Sequence, residues 1–214
     1  MRFFIIMFLF CFANTKAQET LAFAQEVEAI SKKYDTVWDS SKETIVFTGS
    51  SSIRVWKNLE TVFPGHQIVN SGFGGSQTSD LLSHTNELIL KYNPKKVFIY
   101  EGDNDISSKK RPGRIIDDAQ QIITRISKFN PDTKIILISA KPSMARWHLK
   151  RKYKRLNRKL KRLSQKNPKV DFADVWSPML AKRKVRQDIF VDDGLHMNNK
   201  GYDIWYSVIK EYIE

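Results

Sequence analysis

The sequence predicts an α/β sandwich, a three-layer arrangement in which a central parallel sheet of about five strands carries helices on both faces. Apolar β-like runs recur at Thr44–Thr48, Gln67–Asn70, Lys96–Tyr100, Lys134–Ser139 and Val170–Phe172. They are apolar without strict alternation, which is the pattern of strands covered on both sides. Between them lie stretches of helical periodicity at Ser79–Lys91, Arg114–Phe129 and Arg146–Gln165, after a helical lead-in at Leu21–Tyr34. Strands separated by helices of this length indicate parallel pairing. The 214 residues, 41% of them hydrophobic, are enough for one domain with a sizeable core. There is no internal repeat and no low-complexity linker.

The first residues fall outside that domain. Arg2 precedes the apolar run Phe3–Ala13, and Thr15-Lys16-Ala17 ends in a small residue, as in a secretory signal cleaved after Ala17. Eleven apolar residues fall well short of the roughly 20 that a spanning helix needs. The expectation is a signal peptide over 1–17, a single domain over 18–214, and an exported protein in the periplasm or outside the cell. The competing readings are an uncleaved anchor and lipidation of Cys11, which lacks a small residue before it. Cys11 is the only cysteine, so the mature chain has neither disulfides nor a thiol nucleophile, and no cysteine metal ligands. Loss of Arg2 and Lys16, with no acid, lowers the formal charge from +13 to +11.

In a parallel sheet, ligands bind beyond the carboxyl ends of the strands. Small polar clusters sit at those ends: "TGSSS" after the first run, "NSGFGGS" after the second and "YEGDND" after the third. A late segment, "FVDDGLHMNNKGY", adds an Asp and a His three residues apart, with Asn198 or Asn199 to cap a last helix. Gly plus Ser after a strand is ordinary turn chemistry. Four polar clusters expected on one rim are more than turns require.

In that order the clusters resemble the SGNH, or GDSL-like, hydrolase family of esterases and lipases, over about Ile45 to Trp205. The resemblance implies the family's flavodoxin-like fold and a serine hydrolase acting on ester bonds. Gly49-Ser50-Ser51 departs from the family's usual Gly-Asp-Ser at Ser50, and position makes Ser51 the nucleophile, with Ser50 and Ser52 as alternatives. Counting from Asn70 puts the oxyanion glycine at Gly75, with Gly74 as the alternative. Asn104 of "GDND" matches the side-chain oxyanion donor. Asp193 and His196 of "DDGLH" match the acid and the base.

The chemistry of the residue types agrees. A serine hydroxyl needs a neutral imidazole to take its proton, and that imidazole needs a carboxylate on its other nitrogen to fix the tautomer. Asp193 can fold back to His196 across a turn, whereas the adjacent Asp192 side chain diverges. Charge developing on an ester carbonyl oxygen would meet the backbone N–H groups of Ser51 and Gly75 and the Asn104 amide, so Ser51, Gly75 and Asn104 form the expected oxyanion hole.

The other motifs have plainer readings. Asp80 and His84 have the spacing of an exposed i,i+4 pair, His66 follows a Pro-Gly turn, and His148 opens a basic helix. "DNDIS" lacks the acidic spacing and terminal Glu of a calcium loop, so neither a metal nor a cofactor is expected. Lys150–Arg162 reads KRKYKRLNRKLKR, nine basic residues in thirteen without an acid. Leu149, Tyr153, Leu156, Leu160 and Leu163 form one apolar stripe along it. With Lys109-Lys110-Arg111 and Lys182-Arg183-Lys184 this face could attract an anionic polymer or lipid surface. Nucleic acid is not an expected partner, because aromatic interleaving is absent. The resemblance implies a small-molecule or glycan ester as substrate, with a short acyl group such as acetyl. The rival reading is a hydrolase-like module, weakly catalytic or inactive, that binds anionic envelope polymers through the basic surface.

Overall fold

The computed structural model describes residues 23–213, so the leader reading over 1–17 and Cys11 lie outside the described residues. A helix over residues 23–37 (α1) precedes β1 (Thr44–Gly49), α2 (Ser51–Arg54), α3 (Leu59–Val62) and β2 (Gln67–Gly72). Then come α4 (Thr78–Ser83), α5 (Thr85–Leu88), β3 (Lys96–Tyr100), α6 (Asp103–Ser107), α7 (Pro112–Phe129), β4 (Lys134–Ile138) and α8 (Lys150–Ser164). The chain ends with β5 (Val170–Ala173), a small antiparallel hairpin of β6 (Leu180–Ala181) and β7 (Lys184–Val185), and α9 (Asn199–Ile209).

β1 to β5 form one parallel sheet in the order β2-β1-β3-β4-β5. This is the flavodoxin-like order, in which the crevice between β1 and β3 is the switch point where ligands bind. The period of two along each strand feeds two cores. Ile45, Phe47, Phe98 and Ile136 pack with Ile53, Leu59, Trp205 and Ile209 from α2, α3 and α9. Val46, Val97 and Ile135 pack on the other face with Val27, Leu81, Ile122 and Leu160 from α1, α4, α7 and α8. This accounts for the unbroken apolar runs: both faces of the strands are buried.

Two helices differ from expectation. The stretch Ser79–Lys91 is not one helix, because the chain leaves helical geometry at His84 (φ −107°, ψ 22°). The Thr85 hydroxyl donates to the Leu81 and Leu82 carbonyls at 3.0 and 2.9 Å, a local bond that competes with the helical ladder. Nor do Asp80 and His84 form the expected exposed pair: both are half-buried. Asp80 accepts from Gln77 N–H at 2.8 Å as part of a capping box, and His84 packs edge-on against Phe73. The basic helix starts at Lys150, not Arg146, after a 3-10 turn over Trp147–Leu149. Its stripe of Tyr153, Leu156, Leu160 and Leu163 is buried as expected.

Candidate active site

β1 ends where only glycine fits. Gly49 has φ +121°, and a Cβ there would lie 2.0 Å from the Tyr100 carbonyl oxygen on β3. Ser50 N–H donates to that same oxygen at 3.1 Å, and α2 begins at once with Ser50 as its N-cap. The sharp turn separates the three serines. Ser50 and Ser52 are buried, at 2% and 3% exposure, while Ser51 faces the rim.

Ser51 Oγ lies 3.0 Å from His196 Nε2, and His196 Nδ1 lies 2.5 Å from Asp193 Oδ2. With the Nδ1 proton donated to the carboxylate, Nε2 is left as the acceptor for the serine hydroxyl. Asp193 Oδ1 also accepts the backbone N–H groups of Leu195 at 2.8 Å and His196 at 2.9 Å. Partial burial opposes ionisation of Asp193, but the hydrogen bonds from the His196 ring and these two N–H groups outweigh it and lower its pKa to about 2. Asp192 is exposed beside it. The helix that follows is capped by Asn198, whose side chain accepts from Gly201 N–H at 3.3 Å.

The glycine loop after β2 lies beside the same crevice, with Phe73 N–H donating to Gly49 O at 2.9 Å. Gly75 adopts φ +74°, and the space where its Cβ would sit is open; the left-handed backbone is what calls for glycine there. Gly74 N–H donates to Glu26 Oε2 at 2.9 Å, whereas Gly75 N–H has no acceptor among the described residues. Ser51 N–H, at the first helical position, has no intrahelical acceptor either. Asn104 donates one amide hydrogen to Ser76 O at 2.9 Å, leaving the second available. The four clusters thus meet at the carboxyl ends of β1, β2 and β3. Among the described residues, no group of three or more His, Cys, Asp or Glu side chains is placed to hold a metal.

The family's sequence profile, described as the GDSL-like lipase/acylhydrolase family, matches residues 38–204. The chain belongs to this family. It is by that membership an ester-hydrolysing enzyme of the acylhydrolase and esterase class. Solved structures share the fold of this GDSL-like hydrolase. A Streptococcus pneumonia protein named for platelet activating factor superposes with a TM-score of 0.80 at 23% identity, covering 94% of this chain and 99% of its own. An acetyl esterase mutant with acetate ion gives 0.64 at 16% identity, with coverages of 80% and 96%. A carbohydrate esterase of family 3 from Talaromyces cellulolyticus gives 0.64 at 17% identity, again with 80% and 96%. Among curated proteins no match to the sequence is found.

Two groups of residues beneath the GDSL-like site were not singled out from sequence. Arg146, in the segment between β4 and α8, donates from Nη1 and Nη2 to Asn104 Oδ1. Glu101 lies under the glycine loop, where its Oε1 accepts the Ser76 hydroxyl at 2.7 Å and its Oε2 has no partner among the described residues. Burial, and then the charge of Asp105, push its pKa well above the ordinary 4.5. The unfolded chain gives up this proton from about pH 4.5 upward while the folded protein keeps it, so stability falls as pH rises from that value to the raised one. Glu101→Gln keeps the acceptor for Ser76 and removes the proton. The variant's melting temperature is therefore expected to gain on that of the parent as pH rises from about 4.5 to about 8. Parallel melting curves over that range would contradict the assignment.

Proposed function

We propose that this hydrolase is an exported serine esterase that cleaves a carboxylic ester through an acyl-Ser51 intermediate, with a short acyl group such as acetyl on a carbohydrate as its substrate. The observation that carries the reading is the hydrogen-bonded series Ser51, His196, Asp193. His196 Nε2 takes the Ser51 proton as Oγ bonds to the ester carbon, and the charge on the carbonyl oxygen falls to the N–H groups of Ser51 and Gly75 and the Asn104 amide. Collapse expels the alcohol, which receives the proton from His196. Water then repeats the sequence on the acyl-serine and releases the acid. Fold relatives named as acetyl and carbohydrate esterases support the short acyl group and the glycan.

The test is hydrolysis of p-nitrophenyl esters from acetate to long acyl chains by the purified protein. Turnover highest for acetate is the expected result. Preference for long chains would overturn the short acyl group, and no turnover of any ester would favour the rival reading as a binding module. Export is supported by the leader-like residues 1–17. Protein recovered from cells should then begin at Gln18, and an intact Met1 would count against cleavage.

The basic face of α8 belongs to the same reading. Lys150, Arg151, Lys152, Lys154, Arg155, Arg158, Lys161 and Arg162 are exposed, and among the described residues none of them pairs with an acid. A groove of about 360 Å³ runs beside the helix, lined by Lys154, Arg158 and Lys161 on the helix side and by Phe172, Asp174 and Trp176 on the other, and contains none of the catalytic candidates. Three cations along one wall and the rings of Phe172 and Trp176 on the other suit an acidic polysaccharide chain better than a flat lipid surface. Reversing Lys154, Arg158 and Lys161 to Glu should weaken binding to polygalacturonate and flatten its salt dependence. Equal loss on reversing Lys182, Arg183 and Lys184 instead would mean that only net charge matters. Retained binding to anionic vesicles alone would point to lipid.

A further inference from the structure

The segment Lys141–Arg146, between β4 and α8, touches both halves of the candidate site. Lys141 is 1% exposed, and its ammonium donates to Leu195 O at 2.6 Å, the carbonyl just before His196. Ala145 N–H donates to Gly194 O at 3.1 Å, so the Asp193–His196 turn is held at two successive carbonyls. At the other end, Arg146 Nη1 and Nη2 each donate to Asn104 Oδ1 at 3.1 Å.

Both cations converge on Asp103, the residue before Asn104. Arg146 Nη1 donates to Asp103 Oδ1 at 2.6 Å, and Lys141 Nζ lies 3.6 Å from Oδ2. Tyr153 and Tyr100 hydroxyls complete the carboxylate's shell at 2.5 and 3.0 Å. Burial alone would raise the Asp103 pKa, but Lys141 and Arg146 beside it reverse the effect and hold it below its usual value. Buried ion pairs are seldom more stabilising than apolar packing of the same volume. A contribution to stability is therefore a weak reason for this cluster, and its two outward contacts are a stronger one.

Two contacts set how the Asn104 amide is turned: Nδ2 donates to Ser76 O at 2.9 Å, and Oδ1 accepts the fork of Arg146. A guanidinium has donors and no acceptor, so Oδ1 must face Arg146 and the NH₂ group must face the other way. That is the orientation an oxyanion donor needs. We propose that Lys141 and Arg146 are positioning residues anchored on Asp103: Lys141 fixes the turn that carries His196, and Arg146 fixes the Asn104 amide so that its N–H points at the reacting carbonyl. The proposal rests on the esterase reading of Ser51, His196 and Asn104.

Three variants, Arg146→Met, Arg146→Lys and Lys141→Met, are compared with the parent and Ser51→Ala, using p-nitrophenyl acetate turnover, melting temperature and the downfield proton NMR signal of the His196 Nδ1–H bonded to Asp193. Misplacement of a reacting group by about 1 Å costs on the order of 10²-fold, so kcat is expected to fall by about 10- to 100-fold in both Met variants with KM little changed. Arg146→Lys restores the charge facing Asp103 but not the fork on Asn104, and is expected to stay slow. Lys141→Met should also lose or broaden the His196 signal, and Arg146→Met should keep it. Parent-like kcat in a folded Met variant, or full recovery in Arg146→Lys, overturns the proposal. Should Lys141→Met fail to fold, the two Arg146 variants decide. If the parent itself turns over no ester, the esterase reading fails, and the NMR signal still tests the Lys141 contact.

Discussion

Ser51→Ala is expected to fold as the parent does and to lose ester turnover by about 10⁴-fold or more, the scale set by removal of a nucleophile that works as a unit with its base. Ser51 is half-buried at the rim, and its Oγ bonds only to His196 among the described residues. Loss of that oxygen leaves no large cavity and no stranded buried group. Thermal unfolding should therefore stay close to that of the parent while hydrolysis disappears. Ser50→Ala and Ser52→Ala, at buried positions on either side, are the comparisons that matter. If Ser51→Ala retains turnover, the nucleophile lies elsewhere and the contact with His196 is structural.

The second large effect belongs to Asp193→Asn, with an expected loss of about 10⁴-fold in kcat at neutral pH. The asparagine amide can occupy the same place but can offer its N–H to His196 Nδ1, which moves the imidazole proton to Nε2 and removes the acceptor from Ser51. The pH profile separates the two members of the pair. With a pKa lowered to about 2, Asp193 remains ionised as pH falls until near that value. An acid limb at milder pH is therefore not the titration of Asp193; a general base must be neutral to accept a proton, and that requirement is what produces such a limb. A rate that is flat from about pH 5 to about pH 9 would contradict that role.

The sheet was legible in the sequence because burial on both faces writes itself as unbroken apolar runs. All five runs became strands within a residue or two of their expected ends. The catalytic candidates came from a resemblance carried by four polar clusters in order, and the structure brings Ser51, His196 and Asp193 into one hydrogen-bonded series. Which of three serines faces the base was not a local property; it depends on the rotation at which α2 leaves β1. The break at His84 escaped because a hydroxyl bond from Thr85 leaves no trace in hydrophobic periodicity. The Lys141, Asp103 and Arg146 cluster was hidden for another reason. Its contacts join residues 43 and 54 apart, and a lysine after a strand reads as a solvated charge until the layer above it is known.

The bond between Ser51 and His196 joins residues 145 apart, and the Tyr202 hydroxyl on α9 reaches back 150 residues to Ser52 O at 2.9 Å. Chains emerge from synthesis N-terminus first, so the serine is made early and its base arrives near the end. A chain stopped before His196 carries all five strands but lacks both the proposed base for Ser51 and α9, whose Trp205 and Ile209 fill the core on one face of the sheet. With Ser51 and His196 in their proposed roles, hydrolysis requires that the segment carrying His196 has docked on the sheet. Enzymatic rate in a refolding experiment will report the last long-range closure, while helix and sheet signals report the earlier ones.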